Sequence, residues 1–306
     1  MLMNLHEDKD VFSQILADTA DYMGLHDIAI VEKDYFVTFF LQKIFERHPN
    51  LIFKGGTSLS KCYKLINRFS EDIDLAMDSK ATRPTEGQRK RLKQDIVDII
   101  TESGFTLVNP NQVRSRRYFN NYVIDYRSAS SSAYLNPHLI IETTSYIKSF
   151  PTEAMSAASL VHDFLLLKNA EIEITKYGLE PFTVMVQSLN RTFIDKTFAI
   201  VDYYLGNPMK GHSRHIYDLF KIYPGINIDE SFVKLTTEVR EVRKRHDYCR
   251  SAQDGINMPE LLKKIIDEDF YKSDYNEITQ TFLFEDMPYT EVITVLNNIV
   301  ESDMFA

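Results

Sequence analysis

The pattern of apolar and polar positions changes period partway along the chain, and that change predicts its organisation. Val11, Ile15 and Leu16 fall near helical spacing, and Ile30 to Phe45 is a long apolar-periodic stretch that ends before Pro49, so the first fifty residues predict helices. Leu51-Ile52-Phe53 is a short apolar run that stops at Gly55-Gly56, the pattern of a buried strand entering a tight turn. Thr57 is placed to cap a following helix through Lys64. Ile73-Asp74-Leu75-Ala76-Met77 alternates acid with apolar residues, as a strand with one face at a site would. Thr85 to Ser103 predicts a charged amphipathic helix closed by Gly104. Tyr118 to Arg127 and His138 to Tyr146 are strand-like, with a polar turn over Ser128 to Ser132.

From about Ser156 the period turns helical, and extended stretches become scarce apart from Phe182 to Val186. Helices are expected over Leu189–Leu205, His215–Tyr223, Ser231–Tyr248, Pro259–Tyr271 and Glu291–Ser302. The expectation is an α+β chain of two domains, a mixed-sheet domain over 1–152 and a mainly helical domain over 153–306, with the boundary in Lys148–Ala157 near Pro151.

Composition narrows the class. The 306 residues are 44% hydrophobic and 26% charged, ordinary for a folded globular chain. Trp is absent, but 20 Phe and 17 Tyr supply aromatic bulk, and only 10 Gly and 10 Pro exclude collagen-like or low-complexity character. The start of the chain carries Glu7, Asp8, Lys9 and Asp10 with no apolar segment of a secretory signal. No run of about 18 apolar residues predicts a membrane span. Cys62 and Cys249 fit neither a disulfide framework nor a zinc site, which points to a reduced cytoplasm. The net charge of −9 does not advertise nucleic-acid binding, yet basic clusters stand out: Arg89-Lys90-Arg91 with Lys93, Arg114 with Arg116-Arg117, and Arg240 with Arg243-Lys244-Arg245.

Four features carry candidate chemistry. Lys54-Gly55-Gly56-Thr57-Ser58 lies between a strand and a helix, where glycines allow close approach of a ligand and backbone N–H groups face phosphate oxygens. It is neither a Walker loop nor a Rossmann fingerprint, and alone it equals an ordinary strand-to-helix turn. Asp72-Ile73-Asp74 projects two carboxylates to one side of a strand, which is costly unless a cation neutralises them. Mg²⁺ takes hard oxygen ligands shared between carboxylates and substrate phosphates. Glu142 interrupts the apolar run Leu139-Ile140-Ile141 as a third acid, either a ligand or a general base, and otherwise a solvent-facing strand residue. Lys196 follows Asp195, and Asp218 closes Arg214-His215-Ile216-Tyr217-Asp218; a lysine suits a triphosphate, and a salt-bridged helix face suits the same residues.

Together these residues resemble the nucleotidyltransferase superfamily that includes DNA polymerase β, and more closely its AbiEii/AbiGii branch of toxins, which includes the MenT toxins. The resemblance is specific over Phe53-Lys54-Gly55-Gly56-Thr57-Ser58-Leu59 and Arg68-Phe69-Ser70-Glu71-Asp72-Ile73-Asp74-Leu75, and looser downstream. Lys196, after an acid, resembles the third motif. Asp218 resembles the fourth, with His215 where that motif often has an aspartate. The resemblance implies a polymerase β-like sheet domain and a toxin of an abortive-infection or toxin–antitoxin pair that adds an NMP from an NTP to RNA, notably the tRNA 3′ end. It implies Mg²⁺ or Mn²⁺ at Asp72 and Asp74 with Glu142 as third acid. It also implies a triphosphate cradle of Lys54, Gly55, Gly56, Thr57 and Ser58, Lys196 as neutralising cation, Asp218 as its orienting acid, and a cognate antitoxin as partner. A phosphate on Ser70, two residues before Asp72, would repel the NTP. The rival readings are transfer to a small molecule or protein hydroxyl, and a nucleotide-binding module without catalysis.

Overall fold

The structure is a computed structural model that describes residues 3–77, 84–126, 128, 130, 135, 138–146, 149–206, 210–302 and 304–305. The chain divides into two compact units. The first comprises Met1–Lys64, Ser70–Lys148 and Thr152–Val186; the second comprises Leu65–Phe69, Ser149–Pro151 and Gln187–Ala306.

The first unit contains, in chain order, α1 (Lys9–Tyr22), α2 (Ile28–Arg47), β1 (Leu51–Lys54), α3 (Gly55–Lys61), β2 (Asp72–Met77), α4 (Glu86–Glu102), β3 (Thr106–Leu107), β4 (Phe119–Asp125), β5 (His138–Thr144), β6 (Thr152–Ala157), α5 (Leu160–Leu167), α6 (Glu171–Tyr177) and β7 (Phe182–Gln187). Seven strands form one mixed sheet in the order β3-β4-β5-β2-β1-β7-β6. The central pairs are β1 with β2 antiparallel, β2 with β5 parallel, and β4 with β5 antiparallel. β7 runs parallel to β1, pairing Ile52 with Met185 and Phe53 with Val186. That pairing brings β7 into the same sheet as β1.

The core explains the Phe and Tyr content. Tyr35, Phe36, Phe39 and Phe40 of α2 are buried, and their rings meet Phe12, Phe105 and Tyr126 in edge-on or tilted contacts at 4.8–6.2 Å. Such geometries suit the ring quadrupole and add to the area each ring removes from water. Thr85 caps α4 through a reciprocal box with Gln88.

Three local expectations differ. α3 starts at Gly55 rather than at a Thr57 cap, because Gly55, at φ +79°, turns the chain out of β1 within one residue. It ends at Lys61, and Lys64 has φ +55°. β6 was not anticipated: it is an edge strand with a mostly exposed surface, so nothing imposes an alternating pattern. Of the polar turn after β4, Ser131 and Ser132 lie outside the described residues, as does Lys148 at the expected boundary.

The second unit is helical: α7 (Leu189–Leu205), α8 (Arg214–Ile222), α9 (Glu230–Arg243), α10 (Met258–Asp267), α11 (Lys272–Glu277), α12 (Tyr289–Val292) and α13 (Thr294–Glu301). Phe193, Phe198, Phe232 and Tyr217 fill its interior. Among the described residues, no helix is long and apolar enough to cross a membrane.

Candidate active site

The sheet register of the first unit brings the acids together. Along β2, Ile73 and Leu75 are fully buried, so Asp72 and Asp74 project from the opposite face. Asp74 pairs across the antiparallel ladder with Lys54 of β1 and across the parallel ladder with Glu142 of β5. Glu142 pairs in turn with Asn121 of β4. Lys54, Asp74, Glu142 and Asn121 therefore form one polar row across four strands, with Asp72 one step along the same face. Asn121 Nδ2 donates to Glu142 Oε1 at 3.2 Å.

The glycine turn closes on this row. A Cβ at Gly55 would lie 2.0 Å from Asp74 Oδ2, and φ there is in the left-handed region. Only glycine lets the Asp74 carboxylate lie against the backbone at this point. Gly56 follows in the first turn of α3. Thr57 is buried; its hydroxyl donates to the Asp72 carbonyl at 2.6 Å and contacts the Ser70 hydroxyl at 2.9 Å. Ser58 is fully buried, and its Oγ donates to the Gly55 carbonyl at 2.8 Å. The hydroxyls of Thr57 and Ser58 thus fasten the turn to itself and to β2, which leaves the backbone and the glycines as the surface of any cradle.

The row gathers negative charge beside a single lysine. Burial, then the charges of Asp74 and Asp72, push the Glu142 carboxyl up from 4.5 to about 7, and Lys54 opposes this. A divalent cation would remove that repulsion, and the donors are hard oxygens, so the residues present fit such an ion. Among the described residues, no three or more His, Cys, Asp or Glu side chains are arranged to hold a metal ion by themselves. Mg²⁺ in particular is usually held by one or two carboxylates together with substrate phosphates and water.

Lys196 and Asp218 belong to the second unit, where they meet a third residue. Asp218, with no exposed surface, accepts from Arg68 Nε and Nη2 at 2.7 Å each and from Lys196 Nζ at 2.6 Å. Burial alone would raise its carboxyl, but Arg68 and Lys196 more than offset this and hold it far below the usual range. Burial lowers Lys196, against the pull of Asp218. His215 Nδ1 lies 3.4 Å from Lys196 Nζ, and burial followed by the Lys196 charge keeps its imidazole neutral. The cluster therefore holds two cations around one anion. Arg68 was visible only as part of a motif, and nothing near it in sequence marks its partner Asp218, 150 positions away. Asn121 gave no signal. Of the basic clusters, Arg243 is engaged by Asp195 and Asp202, and Lys244 is paired with Asp254.

A glycine turn set against paired strand acids on a mixed sheet is the arrangement expected of a nucleotidyltransferase. A family model described as "Nucleotidyl transferase AbiEii toxin, Type IV TA system" matches residues 40–298, most of the chain, and the chain belongs to this family. Comparison with the curated proteins returned no match.

Proposed function

We propose that this nucleotidyltransferase toxin moves an NMP from an NTP onto RNA, at the 3′ end of tRNA, and thereby blocks translation. The observation that carries the reading is the polar row Lys54–Asp74–Glu142–Asn121 with Gly55 set against Asp74. Asp72 and Asp74 would hold Mg²⁺ or Mn²⁺, with Glu142 completing the acid set. When bound, the cation neutralises phosphate charge and favours departure of the leaving group. The acceptor 3′-hydroxyl oxygen forms a bond to the α-phosphorus, the bond to the β-phosphate bridging oxygen breaks, and pyrophosphate leaves. The hydroxyl proton passes to Glu142 or to water. Lys54 supplies positive charge beside Asp74, and Gly55 and Gly56 allow the triphosphate to approach the backbone. For Lys196 the proposed role is neutralisation of phosphate charge, oriented by Asp218; its cluster carries one positive charge in excess.

An RNA acceptor is supported by a basic and aromatic surface of the first unit. Arg89, Lys90 and Arg91 of α4 and Arg114, Arg116 and Arg117 before β4 accompany Tyr118 and Phe119, 46% and 39% exposed. The Arg89 guanidinium lies 4.5 Å from the Tyr118 ring centroid. Arginines suit phosphates, and exposed rings suit stacked bases of a single-stranded end. Phe119 lies two residues from Asn121 on the same face of β4. Arg91 and Arg116 each have an acidic neighbour, the half-buried Asp95 and the exposed Glu86, which does not remove the local excess.

The test is incubation with Mg²⁺, total RNA and each α-labelled NTP in turn. Label in tRNA, lost with Asp74→Ala, is expected. Label confined to protein or small molecules would overturn the acceptor, and no label with any NTP would overturn transfer itself.

A further inference from the structure

Outside the polar row, the first unit buries three consecutive charged residues on one helix. Glu32, Lys33 and Asp34 lie in the first half of α2; Glu32 and Lys33 are 1% and 0% exposed, and Asp34 is mostly covered. At about 100° per residue, three neighbours on a helix point in three directions and cannot share a partner. An amphipathic helix normally turns at least one of them to water. Here each reaches a different segment of the same unit.

Lys33 pairs with Glu71, the residue between Ser70 and Asp72. Asp34 Oδ1 accepts from Lys61 Nζ at 2.6 Å, at the last residue of α3, and its Oδ2 accepts from the Leu160 amide at 2.7 Å. Lys61 Nζ also donates to the Thr38 hydroxyl at 2.6 Å, one turn on from Asp34. Glu32 Oε2 accepts from the Ser128 hydroxyl at 2.7 Å, from the Ser130 amide at 3.2 Å and from the Ser130 hydroxyl, all between β4 and β5. The three places so held are the approach to β2, the helix that begins at Gly55, and Ser128 and Ser130 after β4. The triplet precedes the family-matched segment, which starts at residue 40.

Burying a charge is expensive unless it is paired and hydrogen-bonded, and removing one partner strands the other. Packing alone would be served as well by apolar residues, so two ion pairs and one hydrogen-bonded carboxylate side by side point to a role in geometry. We propose that Glu32-Lys33-Asp34 positions the active site: one helix sets the approach to β2, the helix of the glycine turn and the end of β4 at Ser128 and Ser130 relative to each other, with Lys33 fixing Asp72 through Glu71. These are positioning residues, acting through Glu71, Lys61 and the serines after β4. The proposal rests on the site reading above, because it takes Asp72 and Asp74 as the acids whose placement matters.

The experiment compares Lys33→Met, Lys33→Arg and Glu71→Gln with the parent and with Asp74→Asn. The readouts are NTP-dependent labelling of RNA against Mg²⁺ concentration, circular dichroism and thermal unfolding. Glu71 is partly exposed, so Glu71→Gln breaks the pair without opening a cavity and serves if Lys33→Met does not fold. Loss of a residue that orients metal-binding groups typically costs roughly 10–100-fold in metal affinity or activity. Folded Lys33→Met and Glu71→Gln are expected to need about that much more Mg²⁺ for half-maximal rate, with Lys33→Arg recovering most of the loss. An unchanged Mg²⁺ requirement in folded Lys33→Met or Glu71→Gln, whatever the change in melting temperature, would overturn the proposal. Full activity of Asp74→Asn would instead overturn the site reading and leave the helix contacts untouched, so the two failures are told apart.

Discussion

Replacing Glu142 by Gln is expected to stabilise the metal-free protein while abolishing transfer. Glutamine keeps the shape of the side chain and an oxygen to accept from Asn121, and it removes one of three crowded negative charges. The carboxyl lies near 7 in the folded state against 4.5 otherwise, so between those values the native protein binds more protons than the unfolded chain. Stability therefore falls as pH rises through that window; the penalty is absent below about 4.5 and complete above about 7. At roughly 1.4 kcal/mol per pH unit the gap amounts to at most about 3 kcal/mol. Solvent on the open side of the row screens it, which leaves about 1–3 kcal/mol. For a unit of this size that is roughly 3–10 °C in melting temperature. The assay is thermal unfolding of parent and Glu142→Gln in EDTA at pH 5 and pH 8, repeated with Mg²⁺ at pH 8. The variant should melt higher at pH 8, nearly equal at pH 5, and the difference should shrink with Mg²⁺ because the cation relieves the parent. An advantage that is absent at pH 8, or equal at both pH values, would refute the reasoning.

Two further outcomes follow from the geometry. Gly55→Ala places a methyl group against Asp74 and demands a left-handed alanine, so it should lower stability by about 1–3 kcal/mol and remove nearly all transfer, measured by denaturant unfolding and RNA labelling. Asp218→Asn leaves Arg68 and Lys196 buried without their anion and should cost about 3–5 kcal/mol in urea unfolding. A loss under 1 kcal/mol would mean that the cluster is hydrated and not a buried ion network.

How much was legible follows the distance over which each feature is encoded. The glycine turn and the alternation of Asp72 and Asp74 are local: a strand, a turn and a period of two are all visible within 25 residues. The neighbourhood of Asp74 and Glu142 depends on a parallel pairing between strands 68 residues apart, and only the apolar run around Glu142 hinted at it. Arg68 meets Asp218 across 150 positions, and no local pattern encodes that bond. Thr57 looked like a cap because its type favours caps, but the helix starts three residues earlier than that cap implies, at a glycine with positive φ. The charges of α2 appeared as ordinary helix residues, since periodicity does not register where each one points. β6 escaped because an exposed edge needs no buried face.

The central claim is that the glycine turn and the strand acids jointly hold a divalent cation against a nucleoside triphosphate. Its most direct test is a crystal structure with Mg²⁺ and an NTP analogue that resists cleavage between the α- and β-phosphates. The account predicts a cation within about 2.1 Å of oxygens from Asp72, Asp74 and the triphosphate, with the phosphates over Gly55 and Gly56. A triphosphate seated elsewhere, with Asp72 and Asp74 coordinating nothing, would contradict it.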